Sequence, residues 1–130
     1  MKQTHTGSCH CGAVRFEADT DLAGGTFRCN CSICFKSRAW LAGVPAASFR
    51  LLAGKEKLRD YQFGKRGIHH FFCSACGVRP FSQVPGKGMY AVRVNCLDRV
   101  DAKEFVDIPI KYVDMLHDDF KSAPPETRHL

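Results

Sequence analysis

The chain has 130 residues and fits one domain, because a chain of this length buries about two-thirds of the surface that it would expose when extended. Apolar residues make up 45% and charged residues 25%, which is unlike the composition of a disordered chain. No apolar run approaches the roughly 18 residues needed to cross a bilayer, and the first twenty positions contain no hydrophobic signal segment. We therefore expect neither a membrane span nor export.

Eight cysteines are more than a core needs and fewer than the roughly 8–10% of residues typical of a disulfide scaffold. Because their spacing is that of metal ligands, we expect thiolates and a cytoplasmic location. Lys and Arg outnumber Asp and Glu by 19 to 13, a net charge of +6. Seven ligand thiolates and two divalent ions would reduce that charge to +3, which makes nucleic-acid binding a weak hypothesis.

The apolar pattern in chain order predicts a mostly β protein. In residues 12–18, Val14 and Phe16 alternate with Arg15 and Glu17, the period of a half-buried strand. Further short apolar runs bounded by Gly, Pro, Asp or Ser are predicted strands at 40–44, 49–52, 58–63, 68–73, 81–84, 89–94 and 108–113. Only residues 32–38 are expected to form a helical turn, and no stretch sustains a 3.6-residue period for three turns.

The chain contains no linker or internal repeat that would divide it. We expect residues 1–121 to form one zinc-binding domain, followed by a tail at residues 122–130. Since the tail is polar and interrupted by Pro124 and Pro125, it should be extended or frayed unless it packs onto the domain.

Seven of the eight cysteines fall into short clusters. Those clusters are Cys9-His10-Cys11-Gly12, Cys29-Asn30-Cys31-Ser32-Ile33-Cys34 and Cys73-Ser74-Ala75-Cys76-Gly77. Cys-x-x-Cys followed by Gly is typical of a zinc knuckle, because the glycine allows the tight turn that directs both sulfurs at one ion. Cys-x-Cys can also chelate. Tetrahedral zinc takes four ligands, so the seven thiols divide into a set of four and a set of three.

The division predicts two Zn²⁺ ions per chain in different roles. The two pairs form the four-cysteine cluster: Cys9, Cys11, Cys73 and Cys76. Four thiolates leave no open position, so this ion should be structural. The triple forms the three-cysteine cluster: Cys29, Cys31 and Cys34. Three ligands leave a fourth position for water, a substrate thiol or another side chain, so these residues are predicted to be catalytic.

The eighth cysteine could close the second site. Cys96 lies at the end of an apolar strand, and free cysteine is among the most buried residue types, so we expect it in the core. Ligation of the second ion and a reactive thiol are the alternatives.

Basic residues flank the three-cysteine cluster in sequence. Arg28, Lys36 and Arg38 are either a solvated surface or cations that offset the net charge of −1 on zinc with three thiolates and attract an anionic substrate. Lys65 and Arg66 could do the same only if their turn folds over the site.

Histidines and aromatic residues near the clusters have structural roles in our interpretation. His10 should lie beside the ligands or at the surface. His69 and His70 are adjacent on a strand and face opposite ways, so at most one can face the cleft. Trp40 and the Phe71-Phe72 pair are expected in the core.

At these residues the chain resembles the glutathione-dependent formaldehyde-activating enzyme family. The resemblance rests on residues 7–16, 29–37 and 72–78 and covers roughly residues 5–115. It implies a single zinc-containing domain with an Mss4-like β-tent fold, one zinc ion in each cysteine cluster, and a match at all seven cysteines. Residues 76–81 and 92–98 are similar to a subset that includes the centromere protein V type.

The resemblance implies a zinc-dependent carbon–sulfur lyase or synthase. Such an enzyme forms or breaks a hydroxymethyl adduct between glutathione and formaldehyde or a similar small aldehyde, and its partner would be an anionic thiol or thiol adduct. The alternatives are a non-enzymatic, zinc-stabilised binding module and a zinc or redox sensor. A water-activating hydrolase is less favoured, because three thiolates leave zinc a poorer Lewis acid than three histidines do.

Overall fold

Ten β-strands, two six-residue α-helices and six three-residue 3-10 helices make up the regular structure of the computed structural model, which describes residues 1–130. The strands are β1 (Gln3–Ser8), β2 (Arg15–Thr20), β3 (Thr26–Cys29), β4 (Leu41–Pro45), β5 (Phe49–Ala53), β6 (Leu58–Tyr61), β7 (His69–Cys73), β8 (Phe81–Val84), β9 (Met89–Arg93) and β10 (Ile110–Val113). The helices are α1 (Ser32–Ser37) and α2 (Ala102–Asp107). The predicted mostly β class is confirmed. Neither helix has the length and hydrophobicity needed to cross a membrane.

The strands form two sheets. The larger has the order β10-β3-β4-β9-β8-β7-β6, and the smaller has the order β1-β2-β5. All neighbours are antiparallel except β10 and β3, which run parallel and place Val113 beside Cys29. Because β3 leads directly into α1, this parallel pair holds the start of the segment that carries the three-cysteine cluster.

Aromatic side chains from both sheets fill the core. The ring of Phe16, on β2, is fully buried and lies 5.6 Å from that of Phe49 and 5.7 Å from that of Phe81. Phe49 stacks on Tyr90 with ring centroids 4.0 Å apart. Gly7 of β1 faces the Phe16 ring so closely that a Cβ atom there would overlap it. The smaller sheet therefore packs on the larger one through these rings.

Among the strands and α-helices, three were not predicted by the sequence pattern: β1, β3 and α2. β1 (Gln-Thr-His-Thr-Gly-Ser) lacks apolar alternation and is held by its pairing with β2. β3 is only four residues long. α2 makes fewer than two turns; the Asp101 side chain accepts a hydrogen bond from the Lys103 amide at 2.9 Å at its start, and Pro109 follows it.

Predicted strand ends differ where a turn intervenes. The strand expected at 12–18 begins at Arg15, because Gly12 adopts a positive φ of 80° in the turn after Cys9. The strands expected at 58–63 and 68–73 end at Tyr61 and begin at His69, respectively. The helical turn expected at 32–38 is present as α1.

The tail contacts the rest of the chain. Pro124 and Leu130 are buried, and the ring of His129 lies 5.3 Å from that of Phe35 on α1. The tail has no helix or strand, and it packs onto the domain rather than fraying. The division of the chain at residues 121 and 122 stays a prediction.

Candidate metal centres and the adjoining cavity

The four-cysteine cluster is assembled from two similar turns. The first follows β1 and carries Cys9 and Cys11; the second starts at Cys73, the last residue of β7, and also carries Cys76. In the first turn the Cys9 amide donates to the Val14 carbonyl at 3.1 Å, and in the second the Cys73 amide donates to the Val78 carbonyl at 2.9 Å. Gly12 and Gly77 both have a positive φ, near 80°, which a residue with a Cβ rarely adopts.

The sulfur positions fit tetrahedral zinc. The four Sγ atoms all lie within 4.8 Å of one another. The distance from Cys9 Sγ to Cys11 Sγ is 3.7 Å, and that from Cys11 Sγ to Cys73 Sγ is 3.8 Å. Zn–S bonds of about 2.3 Å in a tetrahedron require sulfurs about 3.8 Å apart. These distances match the spacing that one tetrahedral zinc ion requires, so this cluster could hold one ion.

Backbone amides stabilise thiolates at this cluster. The Val14 amide donates to Cys9 Sγ at 3.3 Å, and the Ala75 amide donates to Cys73 Sγ at 3.4 Å. Hydrogen bonds from the backbone of Cys11 and Val78 lower the pKa of Cys76 to about 6. A thiolate is the form that binds zinc, so the hydrogen bonds of the second turn favour the ligand state of Cys76.

The three-cysteine cluster occupies the junction of β3 and α1. Cys29 ends β3, Cys31 precedes the first residue of α1, and Cys34 lies in its first turn. Their Sγ atoms lie within 4.8 Å of one another, and the Cys31 amide donates to Cys29 Sγ at 3.3 Å. Three thiols on one short segment could hold an ion and leave one coordination position free.

The three thiols shift one another's pKa values. Hydrogen bonds from the Cys29 and Cys34 thiols lower the pKa of Cys31, and contacts with Cys29 and Cys31, together with burial, raise the pKa of Cys34. A divalent ion held by the cluster would displace the thiol protons, since each ligand thiol must lose its proton on binding.

The three-cysteine cluster opens into a cavity of about 430 Å³, which we call the three-cysteine cavity. Thirteen of its nineteen lining residues are hydrophobic, among them Phe27, Ile68 and Phe120. A second cavity of about 480 Å³ adjoins it and shares Ile33, Ser37, Phe63 and Arg79 with it. The volume is that of a small-molecule site.

Several polar side chains that line the three-cysteine cavity were not assigned to the site from the sequence, among them His70, Arg79 and Arg93. They come from β7, from the segment before β8 and from the end of β9. The available signal was an arginine at the end of the otherwise apolar strand β9. Of the two adjacent histidines, only His70 faces the cavity. His69 instead contacts Asp60, with Nδ1 2.6 Å from Oδ2.

The basic residues that flank the cluster in sequence lie elsewhere. Arg28 and Arg38 do not line the three-cysteine cavity; an Arg28 nitrogen donates to the Arg38 carbonyl at 3.4 Å. Of the two alternatives for Arg28 and Arg38, the structure therefore favours a surface role over one as cations that line the open site. Lys36 lines the second cavity. Lys65 and Arg66 are exposed and line neither cavity.

Cys96 belongs to neither cysteine cluster. It is half-buried in a turn after β9, and its thiol donates to the Arg79 carbonyl at 3.8 Å. His10 is exposed, as expected. Trp40 and Phe71 pack against the core, whereas Phe72 lines the second cavity.

Known proteins that resemble this chain support the interpretation of the cysteine pattern. The sequence profile described as glutathione-dependent formaldehyde-activating enzyme matches residues 4–110, which include all seven clustered cysteines. The chain is also similar to the crystal structure of a Rhodobacter sphaeroides protein, a Northeast Structural Genomics target. The two are 33% identical with a TM-score of 0.71, and the similarity covers 82% of this chain and 99% of that chain. The chain therefore belongs to the glutathione-dependent formaldehyde-activating enzyme family.

Proposed function

We propose that this protein is a zinc-dependent carbon–sulfur lyase or synthase. It would form and break the hydroxymethyl adduct of glutathione, or of a similar anionic thiol, with formaldehyde or another small aldehyde. Family membership supports the thiol and the aldehyde. The observation that carries the proposal is the opening of three clustered thiols into a cavity that also holds two arginines and a histidine.

We assign one Zn²⁺ to each cluster, with a structural role at the four-cysteine cluster and a catalytic role at the three-cysteine cluster. The sulfur spacing and the thiol-only donor sets fit zinc at both places. Zinc at the second cluster would supply Lewis acidity toward the aldehyde oxygen or hold the substrate thiolate.

Apart from the contribution of zinc, the protein has two tasks in the reaction. It positions the two reactants and transfers one proton. The thiol sulfur adds to the aldehyde carbon, the carbonyl double bond becomes a carbon–oxygen single bond, and the thiol proton passes to the oxygen. No electron is gained or lost overall. Holding both reactants in one cavity accounts for much of the acceleration, because it replaces a bimolecular encounter by a step between positioned groups.

His70 is the residue to which we assign the proton transfer. The residue is 7% exposed and lines the three-cysteine cavity, and its ring stacks on that of Phe63 with centroids 5.3 Å apart. Burial, and then the nearby Arg79, lower the pKa of His70 from its ordinary value. The ring is therefore neutral at pH 7 and can accept the thiol proton and return it to oxygen.

We make two further assignments, one for the fold type and one for the cellular location. We propose an Mss4-like β-tent for residues 1–121, supported by the two packed sheets and by family membership. We also propose a cytoplasmic location, because all eight cysteines are free and the clusters need reduced thiols.

Exchange NMR with ¹³C-formaldehyde and glutathione tests the activity. Because the adduct also forms spontaneously, the measured quantity is the exchange rate between free and adduct carbon at equilibrium. The protein should raise this rate, Cys31→Ser should abolish the increase, and Cys96→Ser should retain it. An unchanged rate with both zinc ions bound would instead favour the non-enzymatic binding module.

A further inference from the structure

Two guanidinium groups in the three-cysteine cavity, one buried and one half-buried, have no acidic partner. Arg93 is only 9% exposed, and its single side-chain hydrogen bond goes to Ser37 Oγ at 3.1 Å. Arg79 is half-buried and makes no side-chain hydrogen bond. Neither is within 4.0 Å of a carboxylate. Burial lowers the pKa of both arginines, and their mutual repulsion lowers that of Arg93 further.

The more exposed Arg50 shows the contrast. Its side chain is 40% exposed, yet it forms ion pairs with Glu17 at 2.6 Å and with Asp19 at 2.9 Å. A buried charge costs far more than an exposed one unless it is paired. Arg79 and Arg93 therefore bear a cost of burial that no carboxylate of this chain offsets.

The cysteines offset only part of this charge. Three thiolates around a divalent ion carry −1, whereas the two guanidinium groups carry +2. Lys87 adds a third cation to the lining, and no Asp or Glu is present there. The cavity is thus left with a positive charge that an anionic occupant would balance.

We propose that Arg79 and Arg93 form a carboxylate-binding subsite in the three-cysteine cavity, so that the occupant is a thiol that also bears a carboxylate. The proposal rests on the proposed function for the thiol half alone. Guanidinium groups bind carboxylates through paired, charge-assisted hydrogen bonds, and Ser37 holds Arg93 against α1, beside the cysteines.

The residues that line the cavity also restrict which other charged groups the bound molecule can place inside it. Because no acidic side chain faces the cavity, an ammonium group of the occupant would lie outside it. The carboxylate can belong to a small mercapto acid or to the glycine end of glutathione, whose γ-glutamyl end would then project from the cavity. Both share the thiol and the carboxylate.

Calorimetry on the zinc-loaded protein, without aldehyde, tests this subsite separately from catalysis. The probes are mercaptoacetate and its amide, and glutathione and its glycine amide. We expect the loss of the carboxylate to weaken binding by roughly ten- to hundredfold. An effect in both probe pairs would identify a general mercapto-acid site, and an effect with glutathione alone would identify its glycine end.

Arginine variants complete the test. Arg79→Gln and Arg93→Gln should remove the preference for the carboxylate over the amide, with two bound zinc ions retained. Arg28 is near the cluster in sequence but lies outside the cavity, so the control variant Arg28→Gln should keep the preference for the carboxylate. Arg93→Lys is a second variant if Arg93→Gln does not fold. The proposal is overturned by equal affinity for acid and amide in the wild type, or by loss of one zinc ion in both glutamine variants, which would mean that the arginines only stabilise the metal cluster.

Discussion

Asn30, between two cysteines of the three-cysteine cluster, donates a hydrogen bond of 2.7 Å from its side-chain amide to the Asp114 carboxylate. Its amide oxygen accepts a second bond of 2.9 Å from the Leu116 backbone. Both ends of the side chain therefore fix the cysteine segment to the turn after β10. A segment held in this way presents its thiols in one arrangement, which favours metal binding.

Asn30→Ala should weaken zinc binding at the three-cysteine cluster by roughly ten- to hundredfold, the effect expected when an outer hydrogen bond to a ligand segment is lost. The four-cysteine cluster should keep its affinity. Competition with a chromogenic chelator measures both steps, and Asn95→Ala, an exposed asparagine in another turn, is the control. Equal affinities for the Asn30 and Asn95 variants would contradict this prediction.

The two metal centres should differ in their contribution to the stability of the fold. Chelation should first remove one equivalent of zinc, from the three-cysteine cluster, while the circular dichroism spectrum persists. Removal of the second should unfold the chain, because the four-cysteine cluster joins the turn after β1 to the turn after β7 and its binding energy is part of the folding energy. Cys31→Ser should lose only the first equivalent. Loss of both ions in one unfolding step would count against distinct roles.

His70→Gln should lower the rate of adduct exchange by about a hundredfold, within the range for removal of a proton-transfer group, and leave thiol binding nearly unchanged. The matched control is His69→Gln, since that neighbour faces away and contacts Asp60. A parallel loss of binding and exchange rate would assign His70 a packing role instead.

Cys96→Ala should leave the zinc content at two and lower the free energy of unfolding by about 1 kcal/mol, as expected for the loss of a small, partly buried group. Burial raises the pKa of the Cys96 thiol to about 11, so it stays protonated at neutral pH. Elemental analysis and urea unfolding give the two quantities. A metal–sulfur bond near 2.3 Å at Cys96 would show that it closes the second site.

The ion pair between Arg50 and Asp19 should be detectable in an acid titration as a low pKa of the Asp19 carboxyl group. Hydrogen bonds from Arg50, and then from Thr4, lower the pKa of Asp19 to about 2. The unfolded value is about 3.9, so the stabilisation by this carboxylate is complete above pH 4 and is lost as the pH falls toward 2. Carbon NMR of the carboxyl should report the low pKa, and Arg50→Gln should return it toward 3.9. An unchanged pKa in that variant would exclude Arg50 as the cause.

The cysteine clusters could be predicted from the sequence because their geometry is largely local. A Cys-x-Cys or Cys-x-x-Cys turn brings its own sulfurs together, and glycines such as Gly12 and Gly77 permit the turn. The strands with apolar alternation were predicted for a related reason, since a half-buried strand shows its period in the sequence. β1 was not predicted because its residues are mostly polar and show no apolar alternation. The strand forms because it pairs with β2.

From the sequence we could predict the family, the mostly β class and the division of seven cysteines into sets of four and three. The charges that face the three-cysteine cavity became apparent only in the folded chain. Arg79 and Arg93 are more than forty positions from Cys34 in the chain, and the folding of the chain brings all three residues to one cavity. Arg28 and Arg38, close to Cys34 in sequence, lie outside that cavity. Sequence proximity therefore does not determine which side chains face the cavity, whereas the packing of distant segments does.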